Sequence, residues 1–149
     1  MNGRIEDQLN IYNTIEDDIN YYAKFIRDWY FYLKANGMSA TTCQNYIRKV
    51  KNFLIYNNHD LDEVSPDDIN KMDIIRYFNS IQTKETIRNG KKTIGQTSDS
   101  YKQGIWSCLN NLFEYLYSQG LTPENYMTTS KIKRPQNHDL QRIKEKKKD

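Results

Sequence analysis

The chain has 149 residues, a net charge of +3 and 37 % hydrophobic residues, which together fit one small domain with polar ends. No apolar run approaches the ~20 residues that a bilayer-spanning helix needs, and the first ten residues lack the apolar segment of a secretion signal. We therefore expect a cytoplasmic protein with no membrane partner. The start of the chain is acidic and its end is basic, an asymmetry that permits an anionic partner at the C-terminal side.

The first predicted helix, helix A, spans residues 15–36 and follows an acidic leader over residues 1–13. Thr14 is the expected N-cap, and Gly37 is the expected C-terminal stop. Apolar residues recur there at steps of three and four, which places them on one helical face. They are Ile15, Ile19, Tyr22, Ile26, Trp29 and Leu33.

Helix B is predicted to begin after Ser39, a good N-cap, and to end near Tyr56. Its apolar stripe consists of Cys43, Tyr46, Ile47, Val50, Phe53 and Leu54. Helix C is predicted to start at Ser65, because a serine cap, Pro66 and two aspartates form a strong helix-start pattern. Its expected apolar face contains Ile69, Met72, Ile74, Ile75, Phe78 and Ile81.

Residues 83–96 contain two glycines and several lysines, which predicts an exposed loop or a short hairpin. Helix D should begin at Thr97 or Ser98 and end near Gln119, before Gly120. Its inward residues are predicted to be Tyr101, Ile105, Leu109, Leu112, Phe113 and Leu116. From Thr128 onward we expect extended or disordered chain.

No alternating run is long enough to predict a sheet, so the fold class expected is all-α, a compact four-helix bundle with a flexible basic C-terminal tail. The predicted domain organisation is a leader over residues 1–13, a helical DNA-binding domain over 14–127 and a basic linker over 128–149.

The sequence contains none of the common phosphate-binding, zinc-protease or paired-cysteine motifs. Cys43 and Cys108 lie on apolar stripes, which predicts buried free thiols. His59 and His138 stand in polar surroundings with no ligand-type neighbour at a suitable spacing. We therefore expect no catalytic residue, no metal, no cofactor and no small-molecule ligand.

Helix B carries the strongest indication of function. Opposite its apolar stripe it presents Thr41, Asn45, Arg48 and Asn52, with Lys49 at the flank, and no carboxylate occurs from residue 39 to residue 58. An ordinary solvated helix mixes charges of both signs, whereas a helix without acids suits a polyanion. Asn and Arg can also make paired hydrogen bonds to adenine and guanine in the major groove. A second, weaker face at the start of helix D contains Ser98, Lys102 and Gln103.

Several segments resemble the N-terminal core-binding domain of tyrosine recombinases of the phage-integrase type. The run from Gly37 to Leu54 is similar to that domain's second helix, and Asn45-Tyr-Ile-Arg-Lys-Val-Lys51 is especially similar to lambda-type integrases. Val64-Ser-Pro-Asp-Asp-Ile69 resembles the opening of the third helix. Residues 109–121 resemble the fourth helix, and Ile132-Lys-Arg-Pro135 resembles the joint before the catalytic domain. The order and spacing of these segments make the resemblance more specific than any one of them.

This resemblance implies a four-helix SAM-like bundle that forms one half of a clamp around double-stranded DNA at a recombination core site. It implies DNA contacts at Thr41 and Asn45, and phosphate contacts along the linker at Lys131, Lys133 and Arg134. The catalytic residues of the family would lie in a separate domain beyond this chain, and self-association as a tetramer on DNA is implied as well.

Two alternatives stay open at this stage. A helical protein–protein interaction module would use the same kind of bundle, and it predicts an exposed aromatic patch built from Tyr21, Tyr30 and Tyr32. A non-catalytic helical regulator would bind an operator without cutting it.

Overall fold

The structure, a computed structural model, describes the backbone of residues 2–136 and the side chains of residues 4–136. These residues are mostly helical and include one small antiparallel sheet. They divide into two compact units, of which unit 1 contains residues 2–69 and 115–123 and unit 2 contains residues 70–114 and 124–136. The prediction of a purely helical chain is wrong, because residues 83–96 form two strands.

Unit 1 begins with three helices, α1 (Asn2–Ile19), α2 (Lys24–Ala35) and α3 (Ala40–Tyr56). The predicted helix A is therefore wrong as a single element, and the predicted leader is part of α1. Thr14 is not a cap, since it lies inside α1 and its hydroxyl donates to the Asn10 carbonyl oxygen (2.9 Å). The chain leaves the helical path at Ala23, whose N–H donates to the Leu61 carbonyl oxygen (2.7 Å) instead of a carbonyl one turn earlier.

The predicted apolar stripe of helix A is nevertheless the core of α1 and α2. Its residues are buried except for the half-buried Tyr22. Gly37 ends α2 with a φ of +83°, a left-handed conformation that glycine adopts without strain.

Helix α3 confirms the prediction for helix B. The Ser39 hydroxyl accepts from the Thr42 N–H (3.2 Å), and the predicted stripe is buried except for the half-buried Tyr46. Cys43 and Cys108 are buried free thiols, as predicted. Helix α1 packs along one side of α3, where the Gln8 side chain accepts from the Ala40 N–H (2.9 Å).

The predicted start of helix C is displaced. Ser65 caps a 3-10 turn over Pro66–Asp68, and the chain then extends through Ile69 before α4 (Lys71–Ser80) begins. Asn70 and Asp73 cap α4 reciprocally, which rotates the helix relative to the prediction. Met72 is therefore 50 % exposed and Ile75 half-buried, while Asp73 and Tyr77 are buried in their place.

Unit 2 continues with β1 (Thr83–Arg88) and β2 (Lys91–Gln96), which pair antiparallel, so the hairpin alternative for this segment is the one observed. The expectation that no run would form a sheet is wrong. Helix α5 (Asp99–Ser118) then buries the predicted inward residues except Tyr101, which is 49 % exposed.

The chain after α5 is more ordered than predicted. Gly120 ends α5 with a φ of +70°, as predicted. The short helix α6 (Tyr126–Ser130), capped by Asn125, contacts α4 within unit 2. The prediction of extended or disordered chain from Thr128 is wrong for this helix. Residues 131–136 form no helix or strand, and residues 137–149, with His138, lie outside the described residues.

Candidate nucleic-acid interface

The outer side of α3 presents the predicted residues to solvent. Thr41, Arg48 and Asn52 are exposed, and Asn45 and Lys49 are half-buried. At 100° per residue, four of these side chains lie opposite the buried stripe and Lys49 lies at the flank, and together they cover the first three and a half turns of the helix. The edge formed by Asn45, Arg48 and Asn52 is thus not part of the core.

Arg48 and Asn45 are linked along this edge. The Arg48 Nη2 donates to the Asn45 Oδ1 over 3.1 Å. A guanidinium has five N–H donors, and this bond uses one of them while it orients the group. The pair therefore sets a cation and an amide side by side on a rigid helix, which is the combination that recognises phosphates and base edges.

Carboxylates lie beside α3 and beyond its end. Asp18 of α1 lines a shallow groove with Arg48 and Lys51, and the Lys51 Nζ lies 5.8 Å from the centre of the Tyr22 ring. Beyond the end of α3, a hydrogen bond with Asp62 and the charge of that residue raise the pKa of the Asp60 carboxyl. One carboxylate, that of Asp18, therefore lies near the Arg48 edge of the outer face, whereas Asp60 and Asp62 lie beyond the end of the helix.

The second predicted face, at the start of α5, is largely committed to folding. The Ser98 hydroxyl is exposed but accepts from the Tyr101 N–H (3.3 Å), which makes it the cap of α5. The Lys102 side chain is 16 % exposed and pairs with Asp99 at 3.5 Å. Gln103 is half-buried and donates to the Pro135 carbonyl oxygen (2.7 Å). These three residues are brought together, but two of them do not form an open anion-binding surface.

The residues after α6 form a second exposed cationic segment. The Trp106 Nε1 donates to the Ile132 carbonyl oxygen (2.9 Å), and Gln103 holds Pro135 in the same way, so the backbone is fixed at two points. Three cations of this segment are exposed: Lys131, Lys133 and Arg134. The sequence predicts that these three cations contact phosphates, and their exposure leaves them available for that contact.

The hairpin contains cations that the sequence analysis did not select. Lys84, Arg88, Lys91 and Lys92 are all exposed there. The signal that could have found them is the Asn89-Gly90 dipeptide, since this pair favours a two-residue hairpin turn and so defines which side chains on either side of it share a face.

The aromatic patch expected of an interaction module is only partly present. Tyr30 is completely buried, so its prediction as an outer residue is wrong. Tyr21 is 79 % exposed and Tyr32 is 44 % exposed, as predicted, and the centre of the Tyr32 ring lies 4.9 Å from that of Tyr115. Phe31, which the sequence analysis did not select, is half exposed.

Two other features are absent from the part of the chain that the structure describes. No helix there is both long and apolar enough to cross a bilayer. Among residues 4–136, no cluster of three or more His, Cys, Asp or Glu side chains could hold a metal ion.

The fold and this surface define a small, mostly helical protein with an exposed, carboxylate-free helix face. Comparison with protein-family models, with curated proteins and with solved structures finds no match. The likeness to tyrosine recombinases therefore depends on the sequence segments described above.

Proposed function

We propose that this protein binds double-stranded DNA through the outer face of α3. One observation supports this above all others: Thr41, Arg48 and Asn52 are exposed on a helix of 17 residues that contains no carboxylate. Such a helix is about 25 Å long, and the major groove is wide enough to admit it. Arg48 and Lys49 would neutralise phosphates, while Asn45 and Asn52 would contact base edges or the backbone.

We propose further that the chain acts in the cytoplasm as the core-binding domain of a site-specific tyrosine recombinase. The order of the resembling segments supports this, because α2, α3, α4 and α5 follow one another as the four helices of a SAM-like bundle would. In this proposal the chain supplies DNA binding and no catalytic residue, and the tetramer in which such recombinases act assembles on the DNA. Lys131, Lys133 and Arg134 would contact phosphates on the side that leads to a catalytic domain.

A salt titration of DNA binding tests the proposal. The probe is a fluorescent duplex of mixed sequence, about 30 base pairs long, titrated by anisotropy between about 50 and 200 mM salt. We expect modest affinity that falls steeply with salt, since bound cations release counterions from the duplex. The double variant R48E/K49E should lose at least about tenfold in affinity, because two phosphate contacts become repulsions.

The matched control is the double variant R4E/K24E, which changes the net charge by the same amount on exposed residues of α1 and α2. It should retain most of the affinity, and circular dichroism should show the same helicity for both variants. Binding that is insensitive to salt, or equal loss in the two variants, would contradict a site on α3.

The recombinase assignment is tested separately from DNA binding. The reading frame that encodes this chain should continue past Asp149 into a segment with the Arg, His-x-x-Arg and Tyr pattern of the catalytic domain. A frame without that pattern, in a protein that still binds DNA through α3, would instead favour the non-catalytic regulator.

A protein-docking module is the second candidate, and the exposure of Tyr21 and Phe31 favours it. It predicts that R48E/K49E leaves binding to the partner protein unchanged, whereas exchanging these two aromatics for serine disrupts that binding. The salt titration therefore also separates the two candidates.

A further inference from the structure

The hairpin in unit 2 is exposed on both faces. Every residue of β1 and β2 is exposed, from Thr83 to Arg88 and from Lys91 to Gln96. The strands meet at Asn89 and Gly90, whose φ angles of +52° and +77° are those of a type I′ turn. A sheet with no buried side gains little from hydrophobic burial, so its side chains are free to be selected for another purpose.

The pairing register sorts the side chains into two unlike faces. One face contains Lys84, Thr86, Arg88, Lys91, Thr93 and Gly95. The other contains Thr83, Glu85, Ile87, Lys92, Ile94 and Gln96, and there the Lys92 Nζ pairs with Glu85 at 3.4 Å. The first set, which we call the cationic face, therefore has three positive charges and no carboxylate of its own.

This arrangement costs the isolated hairpin stability. Arg88 lies directly opposite Lys91 in the register, and like charges in that position repel. Lys84 is four residues from Arg88 on the same strand, about 14 Å away along the cationic face. An anionic ligand that extends along the ribbon would remove the repulsion and engage all three cations.

The base of the hairpin is held firmly within unit 2. The Thr97 N–H donates to the Gln82 carbonyl oxygen (3.1 Å), and the Gln82 Nε2 donates to the Phe78 carbonyl oxygen of α4 (2.9 Å). Lys102 of α5 donates to the Gln82 side-chain oxygen (3.2 Å) while it pairs with Asp99. The ribbon is thus anchored to two helices, which lowers the entropy lost when it binds.

We propose that the cationic face of this hairpin is a second contact with double-stranded DNA, made chiefly with the phosphate backbone. A two-stranded ribbon fits the major groove, and its lysine and arginine side chains reach the phosphates at the groove edges. Thr86 provides an additional hydroxyl donor, whereas the Thr93 hydroxyl already donates to the Thr86 carbonyl oxygen (3.2 Å). This inference rests on the proposed function, and it adds to α3 a contact that the resemblance to recombinases did not indicate.

Neighbouring lysines on opposite faces provide a matched test. Lys91 and Lys92 are adjacent in β2, but only Lys91 lies on the cationic face. The variants K91Q and K92Q remove the same charge from the same strand, and the triple variant K84Q/R88Q/K91Q clears the cationic face. Each is titrated as the full chain against the same mixed-sequence duplex, between about 50 and 200 mM salt.

The slope of log affinity against log salt is negative, and we expect the triple variant to reduce its magnitude by about 2 to 3, since each lost phosphate contact removes about 0.9. K91Q should lower it by about 1, and K92Q should leave it close to the original value. Equal slopes for the triple variant and the original chain, or equal effects of K91Q and K92Q, would overturn the hairpin contact.

The outcome also separates the two proposals. If the original chain binds and R48E/K49E abolishes binding while the triple variant has no effect, α3 is a DNA site and the hairpin is not. If the original chain does not bind duplex DNA at all, the proposed function itself fails.

Discussion

At the scale of single residues, Lys102 combines a charge with a structural task. Its side chain is 16 % exposed, lies 3.5 Å from Asp99 and donates to Gln82 at the base of the hairpin. A cation with two such partners stabilises the fold, and it is a poor ligand for an external phosphate because both partners would have to be replaced. Exposure and pairing, which the sequence does not show, distinguish it from Arg48.

We predict that Lys102→Met lowers the free energy of unfolding by about 1–3 kcal/mol, because it leaves Asp99 largely buried without this cation. The measurement is urea denaturation followed by circular dichroism. Lys84→Met removes an exposed lysine of the same size and should change stability by less than about 0.5 kcal/mol. Equal stability of the two variants would show that the pair with Asp99 does not support the fold.

At the scale of elements, α3 owes its position to signals at its start. Gly37 stops α2 in a left-handed conformation, and the Ser39 hydroxyl accepts from the N–H of Thr42, three residues later in the first turn. These local signals determine where α3 begins, and the starting point in turn determines which residues face outward. The proposed DNA-binding face therefore depends on a cap that does not itself touch DNA.

We predict that Ser39→Ala lowers the free energy of unfolding by about 1 kcal/mol, whereas Ser39→Gly lowers it by only a few tenths. Alanine removes the acceptor and disfavours the extended backbone of the cap, but glycine leaves the N–H groups accessible to water. Thermal and urea denaturation of both variants measure the difference. Alanine and glycine variants of equal stability would mean that the cap contributes little.

Other elements could not be placed from local signals. The apolar stripe of helix A continues in phase from Ile15 to Leu33, so periodicity alone predicts one helix. The break occurs because Ala23 donates to Leu61, a residue almost forty positions away. Helix C has two successive capping patterns, at Ser65 and at Asn70; the first predicts the start of the helix, but α4 uses the second.

At the scale of the whole molecule, buried tyrosines link stability to alkaline pH. Burial raises the pKa of Tyr77 to about 12, and it also raises the pKa values of Tyr30 and Tyr115. Each group binds its proton more tightly when folded than when unfolded, where its pKa is close to 10. Their contribution to stability is therefore complete below pH 10 and is lost as pH rises through the folded pKa values.

We predict that the free energy of unfolding decreases between pH 10 and pH 12 and that Tyr77→Phe makes this decrease shallower. Urea denaturation at a series of pH values measures it. Tyr117→Phe, which alters a tyrosine that is 53 % exposed, should reproduce the original pH dependence. The same steep decrease in the Tyr77 variant would show that ionisation of this residue does not limit stability.

The sequence by itself determined the helical stripes, the cap at Ser39, the glycine stops and the acid-free face of α3, because these depend on neighbours within about four positions. Only the tertiary structure decided that α1 and α2 are separate helices, that Lys102 and Gln103 are engaged in folding, and that the hairpin has a cationic face. Each of these depends on a partner distant in the chain or on a strand register. Hydrogen bonds between distant segments form only when the chain is folded, and they therefore cannot be predicted from the pattern of neighbouring residues.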